Sequence, residues 1–221
     1  MFRVFSSAAA GVALLASTAA AQVCQGDLAF RGNPMHVGGS LGISDHTTTF
    51  GGGLSYGHPR GFYGGGSLGM MSFDGIDGHG FGVGGGLGYS MPLANRSPWS
   101  VCPGGTVNLG FGPSQDLGNG TTLHLSQQTF TLGASIGRAL PLNKSVTLLP
   151  FGSAALGHTS AHASALGQTA SASDTYLQLG FGAGFQFSPS LVLRPALSIL
   201  AGADLVDDTV FGLSVTWALP R

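Results

Sequence analysis

A chain of 221 residues has the length of one all-β domain, but only 8% of its residues are charged and its formal net charge is −1. A typical soluble domain carries about 25% charged residues, so part of this surface is not expected to meet water, and the lack of a basic run argues against nucleic acid as a partner. After residue 21, no apolar run reaches the ~18 residues that a membrane helix needs, which leaves a transmembrane β-barrel as the spanning structure.

The first 21 residues have the pattern of a signal peptide. Arg3 is followed by an apolar core over residues 4–16 and by the small residues Ala19 to Ala21. The core is too short for a membrane anchor, so we expect Sec-type export and cleavage after Ala21.

Beyond the signal peptide we predict a periplasmic lead-in over residues 22–33 and a barrel over residues 34–221. Cys24 and Cys102 are the only cysteines. In an oxidising compartment they are candidates for one disulfide, with two unpaired thiols as the alternative.

Strand-like segments then alternate with turn residues. They predict ten strands, over residues 35–43, 47–57, 61–72, 80–91, 99–111, 122–140, 145–157, 175–187, 190–200 and 209–218. The segments 145–157 and 190–200 contain Pro150 and Pro195 and do not alternate cleanly. Their phase stays open, and eight strands is the alternative count.

The clearest strand pattern lies in residues 80–91, where aromatic and aliphatic residues alternate with glycine. Only a strand, with its side-chain period of two, sorts such residues onto opposite faces. Across all the predicted strands, the opposite face is small or polar and includes His36 in the first strand. This face predicts a barrel interior with few charges. The apolar face predicts a lipid-facing wall that includes Phe81, Val83, Leu87, Tyr89, Leu177, Leu179, Phe181, Phe185, Phe211, Leu213, Val215 and Trp217.

The connections and charges predict an orientation. Four connections are short, and those at 73–79, 112–121, 158–174 and 201–208 are longer, as expected of periplasmic turns and outer loops. Every acidic residue except Asp27 falls in or beside an outer connection, whereas the basic residues gather at the short-turn end and the termini. We therefore expect an acidic outer rim and a disulfide at the periplasmic rim.

The closing segment, Val210 to Trp217, resembles the signal by which the assembly machinery recognises outer-membrane barrels. Gly212, Val215 and Trp217 fit its pattern, and Val210 departs from it because a polar residue is usual there. Together with the signal peptide and the alternating strands, the mature chain resembles the small Gram-negative outer-membrane barrels of the OmpA/OmpX type. The resemblance implies a bacterial outer-membrane location and, as partners, the barrel assembly machinery, outer-membrane lipids and lipopolysaccharide.

No cofactor, metal site or catalytic residue is predicted. The fingerprint Gly80-x-Gly82-x-x-Gly85 lies inside a strand with no helix after it, so it does not indicate a dinucleotide. The favoured role is a structural or surface-exposed one without enzymatic activity, and the alternative is a narrow passive channel for small solutes. A third hypothesis is a hydrolase at the outer rim, where His46 and His79 lie near acidic residues.

Overall fold

The computed structural model describes residues 23–30, 33–58, 60–74, 78–94, 97–116, 122–165, 168–202 and 205–220. The predicted signal peptide lies outside these residues and stays a prediction. Within the described residues, no helix is long and apolar enough to cross a membrane.

The described chain is built from strands, apart from one 3₁₀ turn over Val23–Gln25. Two-residue strands at Met91–Pro92, Gln115–Asp116 and Leu140–Pro141 add short extra ladders. The ten long strands are β1 Met35–Ser44, β2 Thr47–Gly57, β3 Phe62–Phe73, β4 His79–Tyr89, β5 Trp99–Phe111, β6 Thr122–Arg138, β7 Thr147–Ala165, β8 Gln168–Ser188, β9 Leu191–Ala201 and β10 Thr209–Ala218.

These strands form a closed ring in which each strand pairs antiparallel with its neighbour in sequence. β10 returns to β1, with His36 opposite Ala218 and Ser44 opposite Val210. The fold is therefore an up-and-down barrel of ten strands, and the alternative count of eight is wrong. A closed ring satisfies every backbone group of a spanning sheet and leaves no edge within the membrane.

Large apolar side chains cover the outside of the ring. Leu87 and Leu132 are each 73% exposed, and Phe62 is 66% exposed. The interior carries small and polar groups, among them the buried residues Ser67 and Asn108. This inversion of a soluble protein follows from the period-two pattern, since alternate residues must face opposite sides of the wall.

Two parts of the sequence prediction need correction. The segment 158–174 was predicted as the longest outer loop, but residues 158–165 and 168–174 continue β7 and β8, which pair from Thr147 opposite Gln186 to Ala165 opposite Gln168. The two strands of unknown phase are now assigned. Leu149 and Val192 are buried on the inner side, which places Pro150 and Pro195 on the outer side.

Candidate functional site

Three neighbouring strands extend far beyond the rest of the barrel at the outer end. β6, β7 and β8 have 17, 19 and 21 residues, whereas a tilted strand crosses a membrane in about 9–11. We call their projecting portions, residues 122–128, 157–165 and 168–176, the outer sheet. At about 3.3 Å per residue and a tilt near 45°, its tip stands roughly 20 Å beyond Leu156.

The two edges of the outer sheet differ. The β6 edge is covered, because Gln115 and Asp116 pair with Leu123 and Thr122. On the other side, the pairing of β8 with β9 ends where Leu177 meets Ala201. Above that point no strand in the described part of the chain pairs with the β8 edge, and residues 168–173 carry no charge. An uncharged, unpaired edge of this kind is a template for adding another strand.

Histidine and hydroxyl groups line the outer face of this sheet. Nδ1 of His158 lies 2.9 Å from Oγ1 of Thr175, and Nε2 lies 3.5 Å from Oγ of Ser160. Nearby, His124 Nδ1 lies 3.3 Å from Ser114 Oγ.

These contacts give little support to a hydrolase. Ser72 Oγ lies 3.0 Å from His79 Nδ1, but His79 is exposed and Ser72 is only half-buried, and no carboxylate hydrogen-bonds His79 or His46 within the described residues. A nucleophile and base need a third group that orients the base. The same part of the chain contains no cluster of three or more ligand-type residues that could hold a metal ion.

The outer mouth of the barrel is closed by an apolar cluster. Tyr176, Leu200, Val206 and Val210 are all buried and in mutual contact. The connection is tied down because Leu200 N donates to Asp208 O at 2.8 Å. Residues 201–208 were predicted as an outer connection at the acidic rim, and this cluster was not expected. The adjacent apolar residues Leu205 and Val206 were a possible signal of it.

The short-turn end is closed by residues 23–30, which we call the N-terminal plug. Cys24 is bonded to Cys102, and both lie in a buried cluster with Phe30 and Tyr63. The predicted disulfide is thus present and buried, and its place at the periplasmic rim stays a prediction. Residues 23–30 of the predicted lead-in pack against inward-facing residues of the wall, and the bounds of the lead-in stay a prediction.

Inward glycines provide the space for the plug. A Cβ at Gly57 would overlap the ring of Phe30, which stacks on His36 with 4.2 Å between ring centroids. A Cβ at Gly184 would overlap the carbonyl oxygen of Gly26. These inward glycines therefore form a socket for the N-terminal plug.

A buried charged group anchors the plug to the wall. Arg194 Nη1 donates to the carbonyl oxygen of Gln25 at 2.9 Å, and Nε donates to Ser214 Oγ at 3.1 Å. Asp27 accepts from Thr216 Oγ1 at 2.7 Å and interacts electrostatically with Arg194. Asp27, the one acidic residue outside the predicted charge pattern, therefore interacts with the buried Arg194.

Between the two closures, the interior is filled by polar side chains. Gln127 Nε2 donates to Thr159 Oγ1 at 2.8 Å, and Thr129 Oγ1 lies 2.9 Å from the same oxygen. Lower in the barrel lie voids of about 90 and 110 Å³, which hold a few waters at most. Within the described residues, polar side chains and these two small voids lie between the plug and the Tyr176 cluster.

The predicted lipid-facing residues lie on the outer wall, where Tyr89, Phe185 and Leu213 are partly covered by neighbours and the others are exposed. Contact with lipid stays a prediction for all of them. Gly212, Val215 and Trp217 lie on β10, at the seam with β1. Their role as an assembly signal also stays a prediction.

A closed all-β ring with an apolar outside and a polar inside defines a transmembrane barrel. The family described as outer membrane protein beta-barrel domain matches residues 7–218, and the chain belongs to this family. It is therefore a bacterial outer-membrane barrel of the OmpA/OmpX type.

One comparison with a solved structure supports the barrel fold. The β domain of the Bordetella autotransporter BrkA is 15% identical over 86% of this chain and 100% of that chain, with a TM-score of 0.53. Ail of Yersinia pestis is 19% identical over 83% of this chain and 95% of that chain, with a TM-score of 0.43. LpxR of Salmonella typhimurium is 10% identical over 83% of this chain and 100% of that chain, with a TM-score of 0.41. No curated protein matches the chain.

Proposed function

We propose that this protein is a non-enzymatic, surface-exposed barrel whose outer sheet binds extended segments of proteins outside the cell. The observation that carries the proposal is the open edge of β8. An extended peptide can add to such an edge through main-chain hydrogen bonds, and side-chain pockets then supply specificity. The absence of charge over residues 168–173 removes a common protection against such pairing.

The two closures favour this role over that of a passive channel. A solute entering from the periplasm meets the N-terminal plug, which a disulfide holds in place. A solute entering from outside meets the cluster around Tyr176 and Val206. A narrow channel would need both to move, whereas a surface role needs neither to do so.

We also propose the remaining steps of the protein's maturation. Residues 1–21 direct Sec-type export, and the segment from Val210 to Trp217 is recognised by the barrel assembly machinery. N-terminal sequencing of the mature protein tests the first step, and a first residue other than Gln22 contradicts it.

Surface labelling tests the orientation on which the proposed role depends. No cysteine is free in the described chain, so an introduced thiol reacts alone. On intact cells, a membrane-impermeant maleimide should label Ser171→Cys, in the outer sheet, and spare Ser145→Cys, in a short turn. Both serines are exposed, so the pair is matched. Labelling of Ser145→Cys alone would refute the orientation and the role.

Binding of the barrel in lipid nanodiscs to immobilised fibronectin, laminin and collagen tests the role itself. We expect binding to at least one of them and its loss when an Asn-Gly turn replaces residues 161–172. Ser171→Lys places a charge on the open edge and should weaken binding, whereas Ser126→Lys, in β6 away from that edge, should not. No binding by the wild type, or equal binding by the shortened variant, would overturn the proposal.

A further inference from the structure

The outer wall of β4 to β7 carries an apolar groove of about 850 Å³. Its cause is a cross-strand row in which Leu87 pairs with Gly105, Gly105 with Leu132, and Leu132 with Leu156. Gly105 has no side chain, so a notch remains between leucines that are each 73% exposed. Gly85 lies beside the notch and extends its floor.

The groove crosses the apolar band of the wall. At one end it is bounded by Phe62 and Tyr89, whose rings lie 4.6 Å apart beside a short turn. At the other end it reaches His158 and Thr175, at the base of the outer sheet. There the outward side chains change from aliphatic to polar, as in the step from Leu156 to His158. The groove therefore runs from one membrane boundary toward the other.

The outer end of the groove is lined by hydrogen-bonding groups, and the nearby Asp174, which accepts from Thr175 N at 2.7 Å, is not among the lining residues. His158 contacts both Thr175 and Ser160, so an imidazole and two hydroxyl groups meet at one point. Such a cluster can donate several hydrogen bonds to an anionic head group. A ligand that matches the whole groove is amphipathic, with a long apolar chain and a polar group at the outer boundary.

We propose that this groove binds one acyl chain of lipid A and that the cluster at His158 hydrogen-bonds a lipid A phosphate. The groove is continuous with the membrane-facing wall, so its occupant comes from the membrane. The polar end lies on the outer-loop side, where the lipid is lipopolysaccharide. The volume lies within the range of small-ligand sites. This lipid site rests on the same orientation as the proposed function but not on the open edge of β8, so a failure of peptide binding alone leaves it intact.

Native mass spectrometry of delipidated barrel titrated with bisphosphorylated lipid A tests the groove. Gly85→Leu fills the floor, and Gly39→Leu is the matched control on the far wall. Both glycines face outward, and an added Cβ meets only ordinary contacts, at 3.5 and 3.7 Å. We expect the dissociation constant to rise at least tenfold for Gly85→Leu, because an acyl chain displaced from the floor loses roughly ten close contacts of about 0.1–0.2 kcal/mol each. The Gly39→Leu value should match that of the wild type.

The head-group contact is tested separately, so the proposal remains testable if Gly85→Leu fails to fold. His158 is exposed on the outer sheet, and His158→Leu should fold. We expect the wild type to prefer bisphosphorylated over dephosphorylated lipid A and His158→Leu to lose that preference. Equal loss of binding in Gly85→Leu and Gly39→Leu would overturn the site. Equal affinity of the wild type for lipid A and phosphatidylglycerol would overturn the choice of lipid A.

Discussion

Release of the N-terminal plug can be measured through Cys24. In a Cys102→Ser variant, Cys24 becomes a free thiol that is buried while the plug is seated. Its rate of reaction with a small maleimide then reports how often the plug leaves its socket. Phe30→Ala in this background should accelerate the reaction strongly.

The size of the effect follows from the position of Phe30. The side chain is 2% exposed, stacks on His36 and packs near Tyr63. Truncation of a buried phenylalanine to alanine costs about 3–5 kcal/mol. At 1.4 kcal/mol for each factor of ten, the Cys24 reaction rate should rise by about 10²- to 4 × 10³-fold. This estimate assumes that the socket stays formed while the plug is out, which a heat-modifiability gel checks.

The matched control makes the same substitution on the outer wall. Phe130 is 52% exposed and lies away from the plug, so Phe130→Ala in the Cys102→Ser background should leave the rate unchanged. If Phe30→Ala and Phe130→Ala react at similar rates, the plug is not held by Phe30, and our reasoning on the socket fails.

The remaining predictions concern the closed state. The disulfide joins residues 78 apart, so replacing Cys24 and Cys102 by serine should lower the free energy of unfolding by about 4 kcal/mol in urea titrations in vesicles; an unchanged midpoint would contradict this. Arg194→Met should cost about 3–5 kcal/mol, because it leaves Asp27 buried without its cation, whereas the exposed Arg60→Met should change stability by less than about 0.5 kcal/mol. In planar bilayers the wild-type barrel should pass no steady ionic current, and a stable open level would favour the channel alternative.

The ring itself could be predicted because its physical cause is local. Within β4, the alternation of Phe81, Val83 and Leu87 with glycine assigns both faces of the wall. The bounds of β2, β5 and β10 follow from the same period together with turn residues at each end. These strands cross an apolar medium, so one face must be apolar and the period is visible in the sequence.

The outer sheet was missed because its strands lie outside the membrane, where no apolar medium requires one face of a strand to be apolar. From Thr159 to Ser164 and from Thr169 to Ser173, both faces of the paired strands carry small and polar side chains, and no apolar period remains. The pairing of β7 with β8 continues there through backbone hydrogen bonds alone. The composition of this segment suggested a loop. The strands nevertheless stay paired there in the same register that they have within the membrane.

The plug was missed because its evidence is spread along the chain. Residues 22–33 have no period, and the socket consists of absent side chains on strands far apart in sequence. Gly57 and Gly184 read as ordinary small interior residues until Phe30 and Gly26 are found against them. Asp27 was the one available signal, as the only acidic residue outside the outer connections.

The two sides of the wall also treat chemically identical residues in opposite ways. Gly84 and Gly85 are adjacent, yet a methyl group on Gly84 would collide with the Asn108 amide, while one on Gly85 would make only an ordinary contact with the Gly65 carbonyl oxygen on the other surface. In a deep mutational scan of β4, the folded yield of the variants should therefore alternate from one position to the next, low at inward glycines and high at outward ones. Tolerance of a glycine in this barrel depends on which side it faces, not on its neighbours in the sequence.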